Sequence, residues 1–223
     1  MRGFFVTATD TGVGKTEVAS YLVRMLSKRG YKVGVMKPVA TGTRGGLRDA
    51  EILRRSSSSR YPTHYINPIS LNLPLAPMVA ADIEKKKIDT KIIWQLFKVL
   101  NRDNDLMVVE GIGGIMVPIT KIQKRIFYVV DMILKMGLPV IIVARPDLGT
   151  INHTLLTVRM LKQRGIKIAG IIINHTSRIK KDLSIKTNPK VIERLSGTKV
   201  LGIMPYERQR HKRRIRWLRR LEF

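Results

Sequence analysis

The sequence contains no cysteine, which excludes a disulfide framework, a thiolate metal site and a cysteine nucleophile. Acidic residues are scarce: 16 Asp and Glu stand against 42 Lys and Arg in 223 residues, a formal charge of +26. Aromatic residues make up only 6%. No apolar run, that at 138–144 included, approaches the ~20 residues that a membrane-spanning helix needs. The N-terminal residues lack the basic, apolar and small-residue zones of a secretory leader, so a cytoplasmic location is expected. No internal repeat is visible, and the only low-complexity run is the serine stretch 56–59. What is there is the substance of a folded protein. Hydrophobic residues make up 44%, too many for a disordered chain, and the length suits one α/β domain of ordinary size. The charge leaves a nucleic-acid partner, an anionic membrane surface or no partner at all open.

Short apolar runs rich in β-branched residues fall at 3–8, 32–39, 106–110, 138–144, 166–174 and 199–205. Helical periodicity fills most of the gaps. Val18, Leu22, Met25 and Leu26 share one face, Ile92, Leu96, Val99 and Leu100 another, and Leu155, Val158 and Leu161 a third. Nearly all-apolar strands are expected where helices cover both faces of a parallel sheet. The pattern therefore predicts a doubly wound, mostly parallel α/β sheet with ligands at the carboxyl ends of its strands. No linker interrupts residues 1–207, which read as one domain, and 208–223 read as a tail.

The first run leads into Thr9-Asp10-Thr11-Gly12-Val13-Gly14-Lys15-Thr16 and then directly into a helical pattern. Glycines let backbone N–H groups close around a phosphate, and the following helix adds its positive dipole. In such a P-loop Lys15 reaches the β- and γ-phosphates and the Thr16 hydroxyl ligates Mg²⁺. A nucleotide-bound Mg²⁺ usually takes one or two carboxylates as well. Glu110, at the end of the 106–110 run and followed by Gly111-Ile112-Gly113-Gly114, is one candidate; Asp49 and Glu51 are both candidates for the second. Lys37, at the end of the second strand, is placed to neutralise charge on a transferring phosphoryl group, or is simply a solvated lysine.

These residues resemble the dethiobiotin synthetase family, a P-loop NTPase-like group, over about residues 1–207. The phosphate loop with its Thr9-Asp10-Thr11, then Lys37-Pro38-Val39-Ala40-Thr41-Gly42, Val109-Glu110-Gly111-Ile112-Gly113-Gly114, Leu148-Gly149-Thr150-Ile151-Asn152-His153 and Gly202-Ile203-Met204-Pro205 match family blocks in order. The resemblance implies an ATP- and Mg²⁺-dependent cyclo-ligase of biotin biosynthesis. CO₂ (or bicarbonate) and 7,8-diaminononanoate give a carbamate, ATP phosphorylates it, and the second amine closes the ureido ring. It implies Lys37, Lys15 and Thr11 as catalytic residues. Gly12, Val13, Gly14, Lys15, Thr16, Asn174 and Pro205 are implied for ATP, and Thr16, Asp49 and Glu110 for the metal. Thr41, Gly149, Thr150 and Asn152 are implied for the substrate, the last three across the interface of a homodimer with shared active sites. Three features depart from the family: Ala8 replaces a glycine, Met78 a histidine, and the loop before Asp49 is short, so the choice of Asp49 over Glu51 rests on Asp49-Ala50 resembling the family's Asp-Ala pair.

The tail holds eight basic residues and one acid, with Ile215, Leu218 and Leu221 three apart. It reads as a terminal helix packed on the domain, an amphipathic helix on anionic lipid or a nucleic-acid arm. A ParA/MinD-like positioning ATPase that uses such a tail to bind membrane or DNA is the alternative function. That group resembles Lys-Gly-Gly-x-Gly-Lys-Thr, where this chain has Asp10 in place of the first lysine.

Overall fold

The computed structural model describes residues 2–178 and 182–206; the proposed tail 208–223 lies outside the described residues. In chain order the elements are β1 (Gly3–Ala8), α1 (Lys15–Lys28), β2 (Val33–Met36), β3 (Val39–Ala40), α2 (Arg48–Ser57), α3 (Thr63–Ile66), β4 (Ile69–Ser70), α4 (Pro77–Ile83), α5 (Thr90–Arg102) and β5 (Leu106–Gly114). There follow β6 (Pro118–Ile122), β7 (Arg125–Tyr128), α6 (Val129–Met136), β8 (Val140–Ala144), α7 (Thr150–Gln163), β9 (Ile168–Asn174), α8 (Leu183–Ser196) and β10 (Val200–Met204).

Six strands form one sheet in the order β10-β9-β8-β1-β5-β2, and every neighbouring pair is parallel. The period of two along each strand sends alternate residues to opposite faces. Phe4, Val6, Val35, Val108, Ile141 and Val143 pack against α1 and α2. Phe5, Met36, Met107, Val109, Ile142 and Ile171 pack against α5, α6, α7 and α8. With both faces covered, the strands can be apolar throughout, as the sequence pattern predicts.

The run 32–39 is not one strand. Pro38 has no N–H for a ladder, and the N–H of Lys37 is taken by the carbonyl of Ile66 at 2.8 Å. The chain leaves the main sheet after Met36, and Val39–Ala40 pairs with Ile69–Ser70 instead. The run 106–110 extends to Gly114, so Glu110 lies within β5 rather than at its end. The β6–β7 hairpin is not signalled in the sequence, because its two-residue turn places Gln123 at φ 54°, where Asn or Gly is the usual occupant.

Candidate active site

Parallel register explains why residues far apart in sequence meet. Val6 of β1 lies beside Glu110 of β5, and Met36 of β2 lies beside Val109. The residue after each strand position is carried one step further, so Lys37 emerges level with Glu110, next to the loop that continues β1.

That loop, residues 9–14, is shaped by two glycines in the left-handed region, Gly12 at φ 74° and Gly14 at φ 86°. Gly14 is the N-cap of α1. A Cβ there would lie 2.1 Å from the Asn174 side-chain nitrogen, so glycine is required by both conformation and space. Asn174 in turn donates from Nδ2 to the carbonyl of Val13 at 2.7 Å. Asp10 holds the loop from the other side. One carboxylate oxygen accepts the Thr11 N–H at 2.7 Å, and the other pairs with Arg145, just after β8, at 2.7 Å.

A cleft of about 640 Å³ opens over the loop. Thr11, Gly12, Gly14, Lys15, Thr16, Lys37, Thr41, Asp49 and Glu110 all line it. At its base sits a charged cluster. Lys37 Nζ is 2.5 Å from Glu110 Oε1 and 3.2 Å from Asp49 Oδ2, and also donates to the carbonyl of Gly111 at 3.1 Å. The Thr16 hydroxyl donates to the same Glu110 Oε1 at 2.9 Å. Lys37 and Glu110 are only 3% and 1% exposed. Burial pulls the Lys37 ammonium toward the neutral form, but Glu110 and Asp49 together outweigh it and hold its pKa above the usual lysine value. Burial pushes the Glu110 carboxyl up, opposed by Lys37. Among the described residues Lys15 has no such close partner, and burial, reinforced by Lys37, lowers its pKa to about 8.

The donor set fits a divalent cation bound with a nucleotide. Glu110 Oε2 is buried without a hydrogen-bond partner, a costly arrangement that a cation would relieve. No cluster of three His, Cys, Asp or Glu side chains occurs among the described residues, and a nucleotide's Mg²⁺ needs none: one or two carboxylates, a hydroxyl and phosphate oxygens suffice. Of the two sequence candidates for the second carboxylate, Asp49 faces the cleft, whereas Glu51 is exposed and does not line it.

Other sequence candidates lie elsewhere. The Val13 side chain is buried in the core, and its backbone carbonyl takes up the Asn174 amide. Asn174 itself lies behind the loop, fully buried. Pro205 precedes Tyr206, which lines the cleft. Gly149, Thr150 and Asn152 do not line it: they start α7, where Thr150 is buried and Asn152 exposed. A second cavity of about 570 Å³ lies beside this segment, lined by Asp10, Thr11, Met116, Val117, Leu156 and Met160 among others. Thr11 lines both cavities. Met78, on α4, lines neither, and Ala8 is fully buried in β1.

Sequence reasoning missed several supports. Arg48 and Thr176 line the cleft. Asn67 donates to the carbonyls of Lys37 at 2.7 Å and Ile69 at 3.0 Å, which pins the strand end that presents Lys37. The only available signal was the Asn67-Pro68 pair, a turn signature.

Comparison with known proteins bears on family and fold. A family model described as an AAA domain matches residues 2–214. The ATP-dependent dethiobiotin synthetase BioD of Thermodesulfovibrio yellowstonii is 44% identical over 221 residues, covering 96% of this chain and 92% of that protein. The enzyme of the same name from Methanococcus vannielii is 40% identical over 90% of this chain and 92% of its own length. That from Bacillus subtilis subsp. natto is 42% identical over 92% of this chain and 87% of its own. Among solved structures, the MinC:MinD cell division complex of Aquifex aeolicus aligns with a TM-score of 0.56 at 16% identity, over 94% of this chain and 83% of that one. A ParA family ATPase from Chlorobium tepidum aligns with a TM-score of 0.52 at 13% identity, over 92% and 84%. At such identities the likeness is one of fold.

Proposed function

The chain belongs to the dethiobiotin synthetase family, and from that premise we propose how its cleft performs the family's reaction. The reaction is the ATP-dependent ring-closing carboxylation that yields dethiobiotin in biotin biosynthesis. One amine of 7,8-diaminononanoate and CO₂ form a carbamate. Its carbon carries an anionic oxygen that cannot leave. Transfer of the γ-phosphoryl group of ATP to that oxygen creates a leaving group; the second amine then attacks the carbon, the ureido ring closes and phosphate departs. Little covalent chemistry is asked of the protein, which has to position the reactants and stabilise charge.

The observation that carries this reading is the cluster of Thr16, Lys37, Asp49 and Glu110 at the strand ends, beside Lys15 and the loop. Loop N–H groups and the α1 N-terminus bind the β- and γ-phosphates, and Lys15 counters their charge. Lys37 faces the carbamate and the γ-phosphoryl group in flight, where a fixed cation stabilises developing negative charge. Thr11 and Thr41 orient the carbamate. Thr16, Asp49 and Glu110 would hold Mg²⁺, which when bound supplies charge neutralisation on phosphate oxygens. Pro205, beside the cleft-lining Tyr206, borders the adenine, and Asn174, buried behind the loop with its Oδ1 unpartnered, would reach the adenine only if the loop shifts on binding.

The second cavity, which shares Thr11 with the cleft, suits the aliphatic chain of the substrate. The distant substrate carboxylate is taken by Gly149, Thr150 and Asn152 of the second subunit of a homodimer. Exposed apolar side chains near that segment, Leu148 at 85%, Leu156 at 59% and Met116 at 48%, support such a contact. Residues 1–207 form the synthetase domain, 208–223 are an appended basic tail, and the enzyme works in the cytoplasm. The fold likeness to MinD and ParA proteins leaves Asp10 unexplained in a positioning ATPase, whereas Asp10 is part of the block shared with dethiobiotin synthetases.

The deciding experiment supplies 7,8-diaminononanoate, bicarbonate, ATP and Mg²⁺ to the full chain and to a chain ending at Glu207. Both are expected to release phosphate only when the diamine is present and to form dethiobiotin. Folded protein that releases no diamine-dependent phosphate would refute the assignment.

A further inference from the structure

Lys37 Nζ sits among the oxygens assigned to the metal. It lies 2.5 Å from Glu110 Oε1 and 3.2 Å from Asp49 Oδ2, and the same Glu110 oxygen accepts the Thr16 hydroxyl. Glu110 Oε1 is thus already taken by two donors, and only Glu110 Oε2 is left without a partner, so a divalent cation entering at Oε2 would lie beside the Lys37 ammonium and be repelled by it. The neighbouring cation, Lys15, faces the same cleft. Two lysines thus balance two carboxylates, and a free divalent ion entering this group would leave two uncompensated positive charges in a largely buried site. A metal–nucleotide complex brings its own negative charge and offers Lys37 a new partner in the phosphates.

Resting on the assignment of Thr16, Asp49 and Glu110 to the metal, we propose that Lys37 is the internal counter-cation of that site. A divalent cation takes Glu110 and Asp49 by exchange with the Lys37 ammonium, and the cleft thereby selects the metal–nucleotide complex over the free metal. The exchange also delivers Lys37 to the anionic groups it serves in the reaction. Each partner then favours the other by the same factor, because binding linkage is reciprocal.

The test titrates nucleotide-free protein with Mn²⁺, following free ion by electron paramagnetic resonance. Lys37→Met is expected to bind one Mn²⁺ per chain at least about tenfold more tightly than the unaltered protein, since it keeps both carboxylates and loses the competitor. Lys37→Gln repeats the measurement in case the first variant does not fold. Folded variants that bind no tighter than the unaltered chain overturn the exchange. A second measurement needs no variant. In protein labelled with ¹³C at the lysine ε-carbon, the Lys37 signal is expected to move on adding Mg²⁺ with a non-hydrolysable ATP analogue and to stay put with Mg²⁺ alone. A signal indifferent to the complex overturns the proposal as well. Glu110→Gln separates the two levels of inference. If it leaves Mn²⁺ binding in the presence of the analogue unchanged, the metal assignment itself falls and the exchange with it. If it weakens that binding while the Lys37 variants show no gain, only the exchange falls.

Discussion

Lys15 carries its charge in a place that resists it. The side chain is 8% exposed, and burial together with the nearby Lys37 lowers its pKa to about 8. Two consequences follow with opposite signs. Phosphate binding needs the ammonium, so ATP affinity is expected to fall as pH rises through about 8; calorimetric titration between about pH 7 and 9.5 checks this, and a flat profile would sink it. Stability runs the other way. The folded-state pKa is below the value of 10.5 for a free lysine, so the folded protein disfavours the charged form. This cost is fully present below about pH 8 and disappears as pH rises past the unfolded value. Lys15→Met removes it and is expected to abolish turnover while raising stability at pH 7 by on the order of 3 kcal/mol, read by thermal melting. The identity of Lys15, Thr16 and Lys37 as chemical groups was legible in the sequence because each stands in a short, ordered motif. The state of their charges was not, because a pKa depends on burial and on neighbours that arrive from other strands.

The loop between β1 and α1 shows how an element imposes its own residue requirements. Gly12 and Gly14 both have positive φ, but they differ in surroundings. A Cβ at Gly12 would meet nothing within 4 Å, whereas at Gly14 it would meet the Asn174 amide at 2.1 Å and Glu17 Oε2 at 3.0 Å. Gly12→Ala therefore costs only backbone strain, about 1–2 kcal/mol. Gly14→Ala adds a clash that also dislodges Asn174 from the Val13 carbonyl. The Gly14 variant is expected to melt well below the Gly12 variant and to lose at least about 100-fold in turnover, because a displaced loop no longer places the phosphates. Equal melting temperatures for the two would contradict this account. Elements with strong periodicity, α1, α5 and α7 among them, were readable from the chain. The break at Pro38 and the β6–β7 hairpin were not: the first depends on a carbonyl offered by Ile66, and the second turns on a glutamine.

In the whole molecule, Thr11 lines both cavities, and the segment expected to serve the substrate's far end lies outside the phosphate cleft. The proposed homodimer would close that separation by bringing a second copy to the apolar surface around Leu148, Leu156 and Met116. Leu156→Glu, which places a charge on this surface, is expected to convert the protein to a monomer in sedimentation and to lower turnover at least about tenfold. A monomeric unaltered protein, or a monomeric variant with full turnover, would rule out shared active sites. The sequence by itself determined the doubly wound class, the phosphate loop, the family and most of the residues that line the cleft. Local pattern suffices for these: strand periodicity, loop glycines and motif order are properties of neighbours in the chain. Only the tertiary structure decided that Asp49 rather than Glu51 faces the cleft, and that Asn67 and Arg145 brace it. It also decided that Lys37, Thr16 and the two carboxylates form one buried cluster. Those outcomes rest on parallel register across β2, β5, β1 and β8, which brings together side chains up to 135 residues apart, and no local pattern encodes the distance between them.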